Sequence, residues 1–350
     1  MAPEGSLTEP AHVRPAVESP PVRVRRSWHW FGAAAVVVVA ATAGTAVWHA
    51  RKPADVVMTL DAGTPVGAGD LHRAADLLRD RLSGAGYGHP RVSVTGDRTV
   101  VATVDGGGDA DGLRLLAQPG RLSFRAVVAG PTIPHADVTP VAPSAAVPPA
   151  VVAKLGAAYP AAQALTDPGQ VGASAMPALA PFGTLRPDEV ATLPPAMQYA
   201  VPTITCAQLN GRAPGAVDDP AARVVACERT GTEAKYLLDP AAVAAGDVAG
   251  ATVELQAAAG WTVTVRFTPA GQARWTELTR AAVRGRPSNQ VAIVVDNQVI
   301  SAPTVQAVIT GDAEISGAEI DRAAASRLAA QLRSGPLPVT FTVSSIRGGR

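Results

Sequence analysis

From Val56 onward, two hydrophobic periods alternate along the chain. "DVVMTL" has a strand pattern, and "LHRAADLLRDRL" places Leu71, Ala74, Ala75, Leu78 and Leu82 on one helical face, with Asp70 as its cap and Gly84 and Gly86 ending it. "RVSVTGDRTVVATV" alternates on both sides of Gly96-Asp97 and predicts a hairpin. Asp109 is placed to cap "ADGLRLLA", Pro119-Gly120 stops it, and "RLSFRAVV" follows as a strand. The order over residues 55–128 is β-α-β-β-α-β, a ferredoxin-like arrangement.

Residues 129–200 break this rhythm. Pro131, Pro134, Pro140, Pro143, Pro148 and Pro149 crowd the start of an Ala/Pro-rich segment, which predicts a linker or surface insertion without long strands. Order returns in residues 201–338. "ATVELQ" and "WTVTVRF" predict strands, and Thr268-Pro269 opens a helix that buries Trp275, Leu278 and Ala282 and ends at Gly285. "VAIVV" and "QVISA" predict a hairpin turning at Asp296-Asn297, with Pro303 at an edge or bulge because proline cannot donate to a ladder. "TVQAVIT" alternates, with Val305, Ala307 and Ile309 on one face. Ser316 and Glu319 fit a capping box for a helix that buries Ile320, Ala324, Leu328 and Leu332 and stops at Gly335-Pro336. A final strand, 339–346, returns to the first block. The fold class is α+β: a base, then a head subdomain with helices against an antiparallel sheet.

The N-terminal segment follows neither period. Residues 1–27 are rich in Pro, Glu and Arg and read as a disordered tail. Residues 28–48, "WHWFGAAAVVVVAATAGTAVW", carry no charge, match the roughly 20 residues that span a bilayer core, and have Trp28, Trp30 and Trp48 at their ends. Arg14, Arg23, Arg25 and Arg26 precede the span and Arg51 and Lys52 follow it, which orients the N-terminus to the cytoplasm and the rest of the chain outside it. A cleaved signal peptide with Ala41-Thr42-Ala43 at the cleavage site is the alternative; the long leading segment argues for an uncleaved single-pass anchor.

Composition narrows the chemistry. Hydrophobic residues are 47% of the chain and aromatics 4%, so the core is built from aliphatic side chains. A net charge of +1, with no basic block interleaved with aromatics, points away from nucleic acid. Cys206 and Cys227 both lie in the exported part, where a disulfide is permitted; the alternative of a metal or redox site lacks a CxxC pair and a nearby histidine. HExxH, GxSxG, Walker and dinucleotide motifs are absent, and the six histidines are scattered, so the chain reads as a non-enzyme without a cofactor. Ser301 has no base placed beside it by any motif.

Three stretches add a family resemblance. "GWTVTVRFTPAGQARWTELT", "VAIVVDNQVISAPTVQAVITGDAEISG" and "AAASRLAAQLRSGPLPV" resemble the first large extracytoplasmic domain of the SecD family, an auxiliary membrane subunit of the bacterial protein-export translocase. The shared pattern includes Asp296, Ser301-Ala302-Pro303, Gly311, Ile315-Ser316-Gly317 and Leu332 to Pro338. The resemblance implies a membrane-anchored base-and-head module, with exported polypeptide and Sec translocase subunits as partners and Asp296, Gln298, Ser301, Ala302, Pro303 and Thr304 as motif positions for polypeptide contact. It does not extend to the family's later transmembrane helices, which carry its proton pathway, so proton-coupled work is not implied. The alternative is an orphan cell-envelope protein that reuses the head fold for another interaction or a small ligand.

Overall fold

The computed structural model describes residues 55–106, 109–133, 146–229, 234–257, 259–317 and 320–348. In chain order the elements are β1 (Val56–Asp61), α1 (Ala68–Gly84), β2 (Gly88–Thr95), β3 (Thr99–Asp105), α2 (Ala110–Leu116) and β4 (Leu122–Ala129). Short helices follow: α3 (Pro149–Leu155), α4 (Ala158–Gln163), α5 (Pro187–Ala191), α6 (Pro195–Ala200) and α7 (Cys206–Asn210). The remainder comprises β5 (Val224–Glu228), β6 (Lys235–Ala244), β7 (Val248–Gln256), β8 (Gly260–Phe267), α8 (Pro269–Val283), β9 (Val291–Val295), β10 (Gln298–Ser301), β11 (Ala313–Ile315), α9 (Arg322–Ser334) and β12 (Thr342–Arg347).

The base is a four-stranded antiparallel sheet in the order β12-β1-β3-β2. The predicted face of α1 is buried on it: Leu71, Ala74, Ala75, Leu78 and Leu82 join Val56, Met58, Leu60, Val100, Ala102 and Val104 in one core. Asp109 caps α2 as expected, accepting from the amides of Asp111 and Gly112. Two expectations are corrected. Gly67, without a side-chain bond, is the N-cap of α1, and Asp70 lies in the first turn, where a carboxylate opposes the positive end of the helix dipole. The strand β4 does not complete the base. Burial on both sides lets it pair instead with β6 and β9, and β12, more than two hundred residues later, takes the fourth place. The head is therefore an insertion between α2 and β12.

The head holds a closed five-stranded barrel, β10-β5-β6-β4-β9, and a separate three-stranded antiparallel sheet, β11-β8-β7. The expected antiparallel sheet is thus two sheets, and β10 runs parallel to β5. The barrel explains why "VAIVV" is apolar throughout. Ala292 and Val294 face the interior with Val127, Val224, Ala226, Leu238 and Val299, while Val291, Ile293 and Val295 face the other way onto α8, α9 and the small sheet. Scarce aromatics concentrate at this second contact: Phe124 lies 5.0 Å from Trp275 and 5.6 Å from Phe267 between ring centroids. Thr268 caps α8 and Pro269 opens it, as predicted.

Three further expectations are corrected. The Ala/Pro-rich segment is not a spacer in its described part: residues 146–210 fold into short helices whose Val151, Leu155, Leu179, Phe182, Val190, Met197 and Leu209 form their own core against the outer faces of β4, β5 and β6. Prolines at the first helical position fit these brief helices, since that residue has no partner to lose. "TVQAVIT" is not a strand; Thr304 forms one isolated bridge to Gln290 and the following residues are irregular, with Ala307 exposed. The cap of α9 is Asp321, which accepts from the Ala324 amide, not Ser316; Glu319 lies outside the described residues. The buried face of α9 shifts accordingly to Ala325, Leu328, Ala329 and Leu332. Among the described residues no helix is long and apolar enough to cross a membrane. The Trp28–Trp48 span lies outside them.

Candidate functional site

The motif positions singled out in the sequence fall into two places. Asp296 and Asn297 form the β9–β10 turn, with Asp296 at φ 54°, a left-handed value that Asp tolerates better than most residues. Both are buried. The Asp296 carboxylate accepts from the amides of Gly120 (3.2 Å) and Arg121 (3.0 Å), and its own amide donates to the Arg121 carbonyl. Asn297 Nδ2 donates to the carbonyls of Arg212 and Ala213 at 2.9 and 3.0 Å. Burial raises the Asp296 pKa above the usual carboxylate range; the two amide bonds and the nearby Arg81 and Arg121 charges oppose that shift. This turn is a clasp on the segment that carries the chain from base to head.

The second place is a groove beside β10. Gln298 and Val299 pair with Cys227 and Glu228 on one side and with Val295 and Val294 on the other. Past Val299, β5 ends, and the Arg229 amide closes the pairing by donating to the Val299 carbonyl. Ser301 stays paired with Ile293. On the β5 side, Val299 to Pro303 instead form the wall of a groove of about 330 Å³. Ile320, just before α9, and Ala324 and Leu328 within it form the opposite wall, and Glu228, Arg229 and Tyr236 make its polar end. The expected edge at Pro303 is therefore limited. The residue is past the strand, and its carbonyl accepts from Val291 on the β9 side, so only the flank toward the groove lacks a strand partner among the described residues.

Within the groove, the Tyr236 hydroxyl donates to Glu228 Oε1 at 2.7 Å. Burial, reinforced by that carboxylate, pushes the Tyr236 pKa up and keeps it a hydroxyl donor. Arg229 Nε donates to Gln298 Oε1 at 3.0 Å. Ser301, Ala302 and Pro303 thus line the groove, Gln298 holds Arg229, Thr304 is exposed beyond it, and Asp296 belongs to the junction. Arg229, Tyr236 and Glu228 were not singled out in the sequence. They belong to β5, its end and β6, and no spacing along the chain links them to β10.

Cys206, at the start of α7, and Cys227, in β5, are joined in a disulfide that ties the helical layer to the outer face of the barrel.

Comparison with known proteins places the head. The family SecDF, P1 head subdomain, matches residues 222–339. Protein translocase subunit SecD of Streptomyces coelicolor is 42% identical over 156 residues, 43% of this chain and 27% of that protein. Protein translocase subunit SecDF of Brucella abortus biovar 1 is 28% identical over 282 residues, 79% of this chain and 26% of that protein. The chain thus spans about a quarter of the length of these relatives. A solved structure described as SecDF in super-membrane-facing form aligns with a TM-score of 0.46 at 22% identity, over 84% of this chain and 30% of that one.

Proposed function

We propose, from the match of residues 222–339 to the SecDF P1 head subdomain family, that the chain is a SecD-like module that holds extended polypeptide during protein export, in the groove beside Ser301, Ala302 and Pro303. The observation that carries this reading is the strand β10, which loses its β5 partner past Val299 and, among the described residues, faces on that flank only a groove with apolar walls. An extended chain can add to such a flank through main-chain hydrogen bonds and bury alternate side chains, which gives binding with little sequence preference. The Sec translocase is the partner in this reading, and the chemistry is non-enzymatic.

The same proposal places the module outside the cytoplasm on the single span Trp28–Trp48, supported by its length, its terminal tryptophans and the arginines before it. Protease added to spheroplasts removes the base and head and spares the tail; a mature N-terminus near Ala43 would sink this part.

The groove reading is tested with photoreactive side chains at Ala302 and Thr304 during active secretion, with Asp76 on the exposed face of α1 as the control site. Crosslinks from the first two positions to an exported chain are expected. Crosslinks only to one folded envelope protein, or none while secretion proceeds, would replace this reading with that of an envelope-binding protein.

A further inference from the structure

The fold treats its buried arginines in a consistent way. Arg81, Arg125 and Arg212 make no ion pair among the described residues; each donates chiefly to main-chain carbonyls. Arg229, half-buried just past the end of β5, is held differently. Its Nε is held by Gln298, its backbone amide is held by Val299, and its terminal nitrogens make no hydrogen bond among the described residues. Glu228, the adjacent carboxylate, is engaged by Tyr236. Arg229 also borders two spaces: the groove beside β10, and a polar cleft of about 380 Å³ lined by Gln118, Asn210, Asp296 and Gln298.

Its position gives these donors a direction. β5 pairs parallel to β10 as far as Val299↔Glu228, and the Arg229 amide still donates to the Val299 carbonyl, so Arg229 lies opposite Ile300 and, among the described residues, Ser301 and Ala302 beyond it have no partner on that flank. A guest chain lying along that flank takes up the line of β5, and its terminal peptide groups come next to the Arg229 fork. We propose that Arg229, oriented by Gln298, reads the main chain of the guest: its terminal nitrogens donate to one or two peptide carbonyls, as the guanidiniums of Arg81, Arg125 and Arg212 do within the fold. This rests on the groove reading above and adds to it a class of substrate, extended main chain irrespective of side-chain charge. A planar fork that bonds carbonyls needs no carboxylate in the guest.

The test uses the full chain and a fluorescently labelled, uncharged, N-acetylated and amidated peptide of Val, Ala, Leu and Thr, with affinity measured by anisotropy. Arg229→Gln is expected to weaken binding at least about tenfold, the lower end for bonds to a charged donor. Arg229→Lys should restore part of it, and Gln298→Ala, which frees Nε, should weaken it a few fold. Replacing the central amides of the peptide by esters, whose carbonyls are poorer acceptors, should reduce the advantage of wild type over Arg229→Gln. Thermal unfolding of each variant separates loss of binding from loss of fold. If the uncharged peptide does not bind wild type at all, the groove reading fails. If it binds wild type and Arg229→Gln equally, only the role of Arg229 is overturned. Binding confined to peptides with acidic side chains and abolished by salt would also overturn it, in favour of a carboxylate receptor.

Discussion

Arg81 shows at the residue scale how a buried charge serves this fold. It projects from α1 and is fully buried. It donates to the carbonyls of Leu116, Gln118, Pro119 and Gly335 and to Ser334 Oγ at 2.5 to 3.0 Å. Desolvation lowers its pKa to about 10, so it remains a cation at neutral pH. Arg81→Met is expected to cost about 3 kcal/mol or more, because several buried carbonyls lose their donor together; the midpoint of urea unfolding measures it. Asp296, on the same junction, gives a pH signature. Burial raises its folded pKa above the ordinary 3.8, so the native state binds the proton more tightly than the unfolded chain. The stability linked to this group is present below 3.8 and is lost as pH rises through the raised value. Between pH 4 and 7, wild type should therefore lose stability relative to Asp296→Asn. Parallel denaturation curves for the two proteins at every pH would show that the carboxyl is not raised.

Among the elements, the helical layer depends most on a single link. The helices α3 to α7 have five to seven residues each, too short to be stable alone, so packing and the Cys206–Cys227 bond must hold them. The bond spans 21 positions, and in the chain-entropy model a loop of that size contributes about 3 kcal/mol. Replacing both cysteines by alanine should lower the unfolding midpoint accordingly and make residues 146–210 the first site of proteolysis. First cleavage in the base sheet would contradict this placement of the weak unit. Thr268, Asp321 and Asp109 meanwhile mark their helix starts with local side-chain bonds, so these boundaries do not depend on distant packing.

At the scale of the whole molecule, an inserted head divides the base sequence. The chain leaves the base after α2 and returns through Leu337, whose amide donates to the Pro119 carbonyl at 2.9 Å. Arg81 binds both strands of this junction, and Asp296 clasps the outgoing one. The last strand then covers the edge of β1. Deleting residues 342–350 should expose that edge and make the base the labile unit, with amide exchange accelerating in β1 and α1 while the barrel stays protected. Equal loss of protection in base and barrel would mean that the two fold as one cooperative unit.

Much of this was legible in the sequence because its causes are local. Period-2 and period-3.6 patterns placed β1 to β3, α1, α8 and the β9–β10 hairpin, and capping residues set the start of α2 and α8. Ser301, Ala302 and Pro303, singled out as motif positions, line the groove beside β10. Other features were set by long-range pairing, which leaves no fixed spacing in the chain. β4 is a good strand in any sheet, and only tertiary structure assigned it to the barrel and gave its place in the base to β12. Proline-rich composition argued against long strands between 129 and 200 but said nothing against short helices that borrow a core from the barrel. Asp296 reads identically as a contact residue or a turn; burial against Gly120 and Arg121 made it a clasp. Arg229 meets the groove because β5 ends beside β10 there, a meeting of segments about seventy residues apart that only the closed barrel creates.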